Sequence, residues 1–176
     1  NSVNRYSRVM TLGDRVICVS HGVSDYVREH YGTHKNIIRV IHRGVDLSLF
    51  DPAKIDRASV DLMRRELGLQ ERFVVSLVGR ITPLKDHPGF IRAVGLLSQG
   101  RPVRGLIVGS AQPGKENYLR ELRQLVTDLN LSDVIRFVPG TEEIGQIYAL
   151  SDVVVSSSIK PESFGRTAVE AMAMNT

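Results

Sequence analysis

Two carboxylates, Glu162 and Glu170, flank the start of a predicted helix. Pro161 does not fit a helix interior, whereas the residues from about Phe164 onward are good helix formers, so a loop leads into a helix here. The helix start exposes backbone N–H groups, which together with the helix dipole make a site for an anion. At ~1.5 Å of rise per residue, the two carboxylates lie roughly 12 Å apart. This spacing suits an extended ligand with an anionic middle and hydroxyl-rich ends.

Four apolar stretches predict the strands of one parallel sheet. The first, Phe73–Val78, is almost continuously apolar, as is typical of a strand buried on both faces. Helical patterns alternate with these stretches, and their apolar stripes predict core positions that include Leu97 and Leu129. This alternation predicts an α/β domain, a Rossmann-like parallel sheet with flanking helices. The other three strands are predicted at residues 106–108, 134–138 and 152–156.

The order of these strands determines where a ligand binds. If the order is third, second, first, fourth, the order reverses between the first and fourth strands, and ligands bind beyond the carboxyl ends of strands at that point. Gly79, Arg80 and Lys85 follow the first strand, and Glu162 follows the fourth. The topology therefore predicts that two cations meet the anion site. The alternative for Arg80 and Lys85 is an ordinary solvated loop.

The stretch 160–171 resembles the signature of retaining glycosyltransferases with the two-domain GT-B fold, family 4, also called glycosyl transferases group 1. Their motif has two glutamates separated by seven residues, with Phe-Gly after the first. Glu162, Phe164, Gly165 and Glu170 match this motif position by position. The variant Pro-Glu-Ser-Phe-Gly-Arg-Thr-Ala-Val-Glu-Ala is most similar to the bacterial enzymes that build lipopolysaccharide cores.

The resemblance also implies how the chain is divided into domains. Residues 42–46, His-Arg-Gly-Val-Asp, resemble the family's interdomain connection, with Arg43 where Asn is usual. Residues 1–41 are expected to form the end of the acceptor-binding N-terminal domain and the interdomain connection. Residues 42–176 are expected to form the nucleotide-sugar-binding C-terminal domain, truncated at its C-terminus. We expect the isolated fragment to be inactive.

The resemblance implies a hexosyltransferase whose donor is a nucleoside diphosphate sugar. The predicted catalytic residues are Arg80 and Lys85, which would stabilise the charge on the leaving phosphate, and Glu162, which would contact the reacting sugar. Glu170 would accept both ribose hydroxyls. We expect no metal and no cofactor, because two fixed cations take the metal's role and the sequence has no Asp-x-Asp pair. The remaining predicted donor-binding residues are Gly79, Phe164, Gly165, Pro139 and Gly140.

The composition and motifs of the sequence also limit which classes of binding partner are expected. The net charge is +4, but no recognition helix, zinc pattern or aromatic RNA platform accompanies it, so nucleic acid is not expected. No signal peptide or apolar run of membrane-spanning length occurs in the sequence. We expect a cytoplasmic protein at the inner face of the membrane, associated with it peripherally at full length. The expected acceptor is a glycan or glycolipid, such as lipopolysaccharide or another cell-envelope glycan.

Two other functions stay open on the sequence alone. Sugar-nucleotide epimerases with a GT-B-like fold bind similar donors, although they lack the Phe-Gly-Arg-Thr-Ala-Val-Glu stretch seen here. A non-catalytic nucleotide-sugar-binding module is the other alternative. Analysis of the products would distinguish the three functions: a glycosyltransferase transfers the sugar, an epimerase forms an epimer of the donor, and a binding module does neither.

Overall fold

A computed structural model describes residues 5–176 of the chain. The chain divides into two compact units. The first contains the described residues up to Gly44 together with Pro161–Gly165, and the second contains Val45–Lys160 together with Arg166–Thr176. None of the helices within residues 5–176 is long and apolar enough to cross a membrane.

The first unit is built on a parallel pair of short strands, as the apolar runs predict. Ser20 begins its longest helix, where the Ser20 hydroxyl accepts a hydrogen bond from the Val23 N–H at 3.2 Å. Gly32 ends that helix in the left-handed conformation, with φ 65°. Cys18 is 1% exposed and packs with the neighbouring strand. The elements are α1 (Arg5–Val9), β1 (Val16–Cys18), α2 (His21–Tyr31), a 3-10 turn (Lys35–Ile37) and β2 (Ile38–Val40).

The second unit contains a four-stranded, fully parallel sheet. Its strands are β3 (Phe73–Val78), β4 (Val103–Val108), β5 (Ile135–Val138) and β6 (Val153–Val154). The order across the sheet is β5-β4-β3-β6, which is the predicted order. The predicted strand at 152–156 is only two residues long, and it pairs with β3. Asp152, predicted in the strand, instead uses its carboxylate to accept the Val74 N–H at 2.7 Å.

Helices cover both faces of this sheet. They are α3 (Arg57–Glu66), α4 (His87–Leu97), α5 (Glu116–Asp128), α6 (Ile144–Leu150) and α7 (Arg166–Ala173), with 3-10 turns at Pro52–Lys54 and Pro83–Lys85. Val74 and Val78 of β3 point into a core shared with α3, α6 and α7, whereas Val75 and Leu77 point into a second core shared with α4 and α5. The alternation along β3 thus creates two apolar layers around one sheet.

Two predicted core positions are wrong, and both lie at the end of a helix. Leu97 is 46% exposed at the last residue of α4, and Leu129 is 41% exposed just beyond α5. The apolar stripes continue past the point where each helix leaves the sheet. Helix α7 is only partly buried, since Met172 is 72% exposed and Ala168 is also exposed. It buries one face only, through Glu170 and Ala171.

Candidate functional site

The Lys85 side chain lies over the carboxyl end of β3. Gly79 follows that strand with φ 146°, a conformation that residues with a side chain rarely adopt. A Cβ at Gly79 would lie 3.4 Å from Lys85 Cε and 3.8 Å from its Nζ. These are ordinary van der Waals distances, so the backbone conformation, and not the space beside Lys85, favours glycine at this position. Arg80, the other predicted cation, is the next residue and is exposed.

Hydrogen bonds join the loop that carries Lys85 to the segment after β6. The Ser157 hydroxyl donates to the Lys85 carbonyl at 2.6 Å, and the Ile159 N–H donates to the Leu84 carbonyl at 3.0 Å. Asp86 then caps the start of α4, and its carboxylate accepts a hydrogen bond from the Gly89 N–H at 3.1 Å. The loops after β3 and β6 are thus neighbours where the strand order reverses.

The loops after β4 and β5 reach the same edge of the sheet. Gly109 follows β4 with φ 154°, and a Cβ there would collide with the carbonyl oxygen of Gly79. The predicted base-binding pair, Pro139 and Gly140, follows β5, and the Gly140 N–H donates to the Ser110 hydroxyl at 3.2 Å. Sequence analysis missed Gly109 and Ser110 as parts of this edge. A glycine directly after a buried strand was the available signal.

Glu170 is buried and hydrogen-bonded through both oxygens. It is 7% exposed, and the Tyr148 hydroxyl donates to its Oε2 at 2.8 Å. Arg166 Nε and Nη2 approach Oε1 at 3.2 and 2.9 Å. Burial raises the pKa of Tyr148, and the Glu170 carboxylate raises it further. Spacing of four residues on one helix could have indicated Arg166, but no sequence signal pointed to Tyr148.

The other half of the predicted motif belongs to the first unit. Glu162 is exposed, Phe164 is half-buried, and Gly165 has φ 79°. This left-handed glycine explains why α7 begins at Arg166 and not at about Phe164, as expected. The structure thus brings Gly79 and Lys85 together, ties Gly140 to the end of β4, and places Glu170 against residues that were not predicted.

His87, at the first turn of α4, is fully buried. Neither of its ring nitrogens has a hydrogen-bond partner among the residues that the structure describes. Burial lowers the pKa of His87 below its ordinary value; the Thr82 backbone and the Asp86 carboxylate oppose this shift, and the charge of Lys85 adds to it. Over residues 5–176, no three side chains of His, Cys, Asp or Glu gather into a group that could hold a metal ion.

Family comparisons agree with this geometry. Residues 59–176 match the family described as glycosyl transferases group 1, and residues 2–49 match the one described as Glycosyltransferase Family 4. The chain belongs to the glycosyl transferases group 1 family. This assignment confirms the predicted α/β fold class and the predicted membership of a glycosyltransferase family.

Relatives of this glycosyltransferase chain are found among curated proteins and solved structures. The D-inositol 3-phosphate glycosyltransferase of Salinispora arenicola is 32% identical over 178 residues, which cover 96% of this chain and 40% of the relative. The Anabaena protein Alr3699/HepE, solved with UDP and glucose, is 30% identical with a TM-score of 0.83, covering 96% of this chain and 44% of that one. A glycosyltransferase structure from Rickettsia africae is 27% identical with a TM-score of 0.88, covering 100% and 47%. This chain thus spans less than half the length of each.

Proposed function

We propose that this chain provides the donor-binding part of a retaining glycosyltransferase that moves a hexose from a nucleoside diphosphate sugar to an acceptor hydroxyl. One observation carries the proposal. Lys85 lies over the end of β3, where the loops after β3 and β6 meet, in a chain of the glycosyl transferases group 1 family. A similar protein, Anabaena HepE, has been solved with UDP-glucose, which supports UDP as the donor nucleotide.

The two cations act on the leaving group in this proposal. The bond between the anomeric carbon and the diphosphate breaks, and its electron pair goes to the phosphate oxygen. The acceptor oxygen forms the new bond to that carbon, and its proton passes to the leaving phosphate. Lys85 offers a point charge, Arg80 offers a planar guanidinium, and both stabilise that negative charge more in the transition state than in the bound donor. We propose that these two charges replace a metal ion and that no other cofactor takes part.

The two glutamates act at opposite ends of the donor. Glu162 would hydrogen-bond the transferred sugar, where positive charge develops at the anomeric carbon. Glu170 would accept the two ribose hydroxyls, because a carboxylate presents two oxygens to a diol. The backbone N–H groups of Phe164 and Gly165 would add their dipoles at the leaving phosphate, and Gly79 would let the backbone approach the donor closely. Pro139 and Gly140 would contact the base through the backbone.

For the acceptor, we propose a chemical class and not an individual molecule. The motif stretch is most similar to lipopolysaccharide core enzymes, whereas the name of the Salinispora relative refers to D-inositol 3-phosphate. We propose a hydroxyl of a cell-envelope glycan or glycolipid, reached by a cytoplasmic protein that associates peripherally with the membrane. Transfer to D-inositol 3-phosphate is the second candidate.

A donor screen on the full-length protein tests the proposal. UDP-sugars and GDP-sugars are supplied with either acceptor class, and release of nucleoside diphosphate is measured together with the glycoside product. We expect one nucleoside diphosphate for each glycoside formed. Conversion of the donor to its epimer without formation of a glycoside would indicate an epimerase. Binding of the donor with neither product would indicate a non-catalytic nucleotide-sugar-binding module.

A further inference from the structure

We infer that Tyr148 is a positioning residue that fixes the Glu170 carboxylate, and that donor selection by the ribose hydroxyls depends on it. The inference rests on the proposed function, in which Glu170 binds the ribose. Tyr148 lies on α6 and Glu170 lies on α7, 22 residues further along the chain. Neither the family motif nor the predicted site includes this tyrosine.

The position of the tyrosine hydroxyl is fixed by its surroundings. Tyr148 is 0% exposed in the core between the sheet, α3 and α7, and its ring lies 6.0 Å from that of Phe50. A side chain enclosed in this way keeps one rotamer, because interiors are close-packed. Its hydroxyl therefore donates to Oε2 of Glu170 from one direction, at 2.8 Å.

Tyr148 and Arg166 divide the two carboxylate oxygens between them. Tyr148 holds Oε2 and Arg166 holds Oε1, so the plane of the carboxylate is set from both sides. Each oxygen has two lone pairs, so Oε2, with Tyr148 as its one protein donor, keeps a lone pair for a ribose hydroxyl. Oε1 accepts both Arg166 N–H groups, and one of these must give way when a second ribose hydroxyl binds. The Arg166 side chain is 68% exposed, whereas Tyr148 is enclosed. Tyr148 is therefore the rigid member of the pair, and Arg166 is the mobile one.

The tyrosine also supplies a donor that persists across the working pH range. A buried carboxylate with an unfilled acceptor is costly, so the hydrogen bond favours the observed orientation of Glu170. The pKa of Tyr148 is raised by burial and by the adjacent carboxylate, so its hydroxyl keeps its proton at neutral and mildly alkaline pH. Without this donor, the carboxylate is free to rotate toward Arg166 and to present only one oxygen to the ribose.

The test compares UDP with 2′-deoxy-UDP as ligands of the full-length protein, by calorimetry. The wild type is expected to prefer UDP at least tenfold, roughly the value of a hydrogen bond to a charged group. Tyr148→Phe removes one oxygen and should lower that preference about three- to tenfold. Tyr118→Phe makes the same change on α5 and should leave the preference unchanged. Glu170→Asp keeps the charge but withdraws it from Tyr148 and should act like Tyr148→Phe, even if Tyr148→Phe fails to fold.

The outcomes separate failure of this inference from failure of the proposed function. If the wild type does not distinguish UDP from 2′-deoxy-UDP, Glu170 does not bind the ribose, and both ideas are wrong at that site. If the wild type prefers UDP, Glu170→Gln abolishes the preference, and Tyr148→Phe and Glu170→Asp both retain it, only the role of Tyr148 is overturned. An equal loss of affinity for both ligands in Tyr148→Phe would indicate a structural role and would also overturn it.

Discussion

Glu162 and Glu170 share one motif but differ in how the fold holds them. Glu170 is buried and bonded to Tyr148 and Arg166, whereas Glu162 is exposed in the first unit. A fixed, buried carboxylate suits a part of the donor that does not change during reaction, such as the ribose. An exposed carboxylate just before the helix start suits a reacting sugar whose charge changes.

Substitution of each glutamate should therefore affect a different kinetic constant. Glu170→Gln removes binding that is uniform between ground and transition states, so it should mainly raise the donor KM. Glu162→Gln keeps the shape but removes the charge beside the anomeric carbon, so it should mainly lower kcat. Initial rates over a range of donor concentrations measure both. The reverse pattern would exchange the two roles, and unchanged kinetics in both variants would make the motif structural.

Lys85 should contribute more to the transition state than to donor binding. Lys85→Ala in the full-length protein should lower kcat/KM about a hundredfold, because loss of one electrostatic donor to a developing charge costs ~3 kcal/mol. Lys54→Ala is the matched control, since Lys54 is an exposed lysine that pairs with Asp51 on the surface. Near-normal turnover in Lys85→Ala would remove Lys85 from the mechanism.

Buried His87 predicts a loss of stability in mild acid. Its pKa in the folded protein lies below the ordinary value of ~6.5, so the unfolded chain binds a proton more readily. The stability contributed by neutral His87 is complete above pH ~6.5 and falls as pH drops toward the folded pKa, by up to ~1.4 kcal/mol per pH unit. Urea unfolding between pH 5 and 7.5 should show a shallower slope in His87→Gln and the wild-type slope in the exposed control His34→Gln. Identical slopes in all three would contradict the prediction.

At the residue scale, residues in a motif of fixed spacing could be predicted from the sequence, whereas their hydrogen-bond partners from distant parts of the chain could not. Glu170 could be predicted because a motif of fixed spacing carries it. Tyr148 could not, because a tyrosine within a helical apolar stripe looks like any core residue until the partner of its hydroxyl is known. The burial of His87 could not be predicted either, because the sequence shows only a histidine near a helix cap and gives no sign that the ring is buried and neutral.

At the scale of elements, the strand order could be predicted because alternating strands and helices have few ways to form a parallel sheet. The order β5-β4-β3-β6 places the loops after β3 and β6 side by side, as expected. The ends of elements could not be predicted as well. Leu97 and Leu129 continue an apolar period to the ends of their helices, where they are exposed, and β6 is shorter than its apolar run.

The close approach of the ends of β3 and β4 predicts that Gly109 tolerates no side chain. Gly109→Ala would force a Cβ into the Gly79 carbonyl at φ 154°, and the backbone strain alone should cost about 1–3 kcal/mol. Thermal unfolding should show this as a lower Tm. Gly100→Ala is the control, because a Cβ there meets nothing within 4 Å and should change stability by less than about 0.5 kcal/mol. Equal Tm values for the two variants would contradict the packing described for this edge.

At the scale of the whole molecule, the motif is shared between the two compact units. Glu162, Phe164 and Gly165 fall in the first unit, and Glu170 falls in the second. The chain covers 40% of the Salinispora relative, so transfer is best measured with the full-length protein. The family could be predicted because the motif lies within one continuous stretch of the chain. The acceptor could not, because no residue predicted for the site is assigned to acceptor recognition.

The anomeric configuration of the product tests the central claim most directly. The full-length protein is incubated with an α-linked UDP-sugar and an acceptor from the donor screen, and the glycoside is examined by proton NMR. The account predicts an α-linked glycoside and one UDP released for each linkage formed. A β-linked glycoside would contradict retention, and an epimerised donor with no glycoside would contradict glycosyl transfer itself.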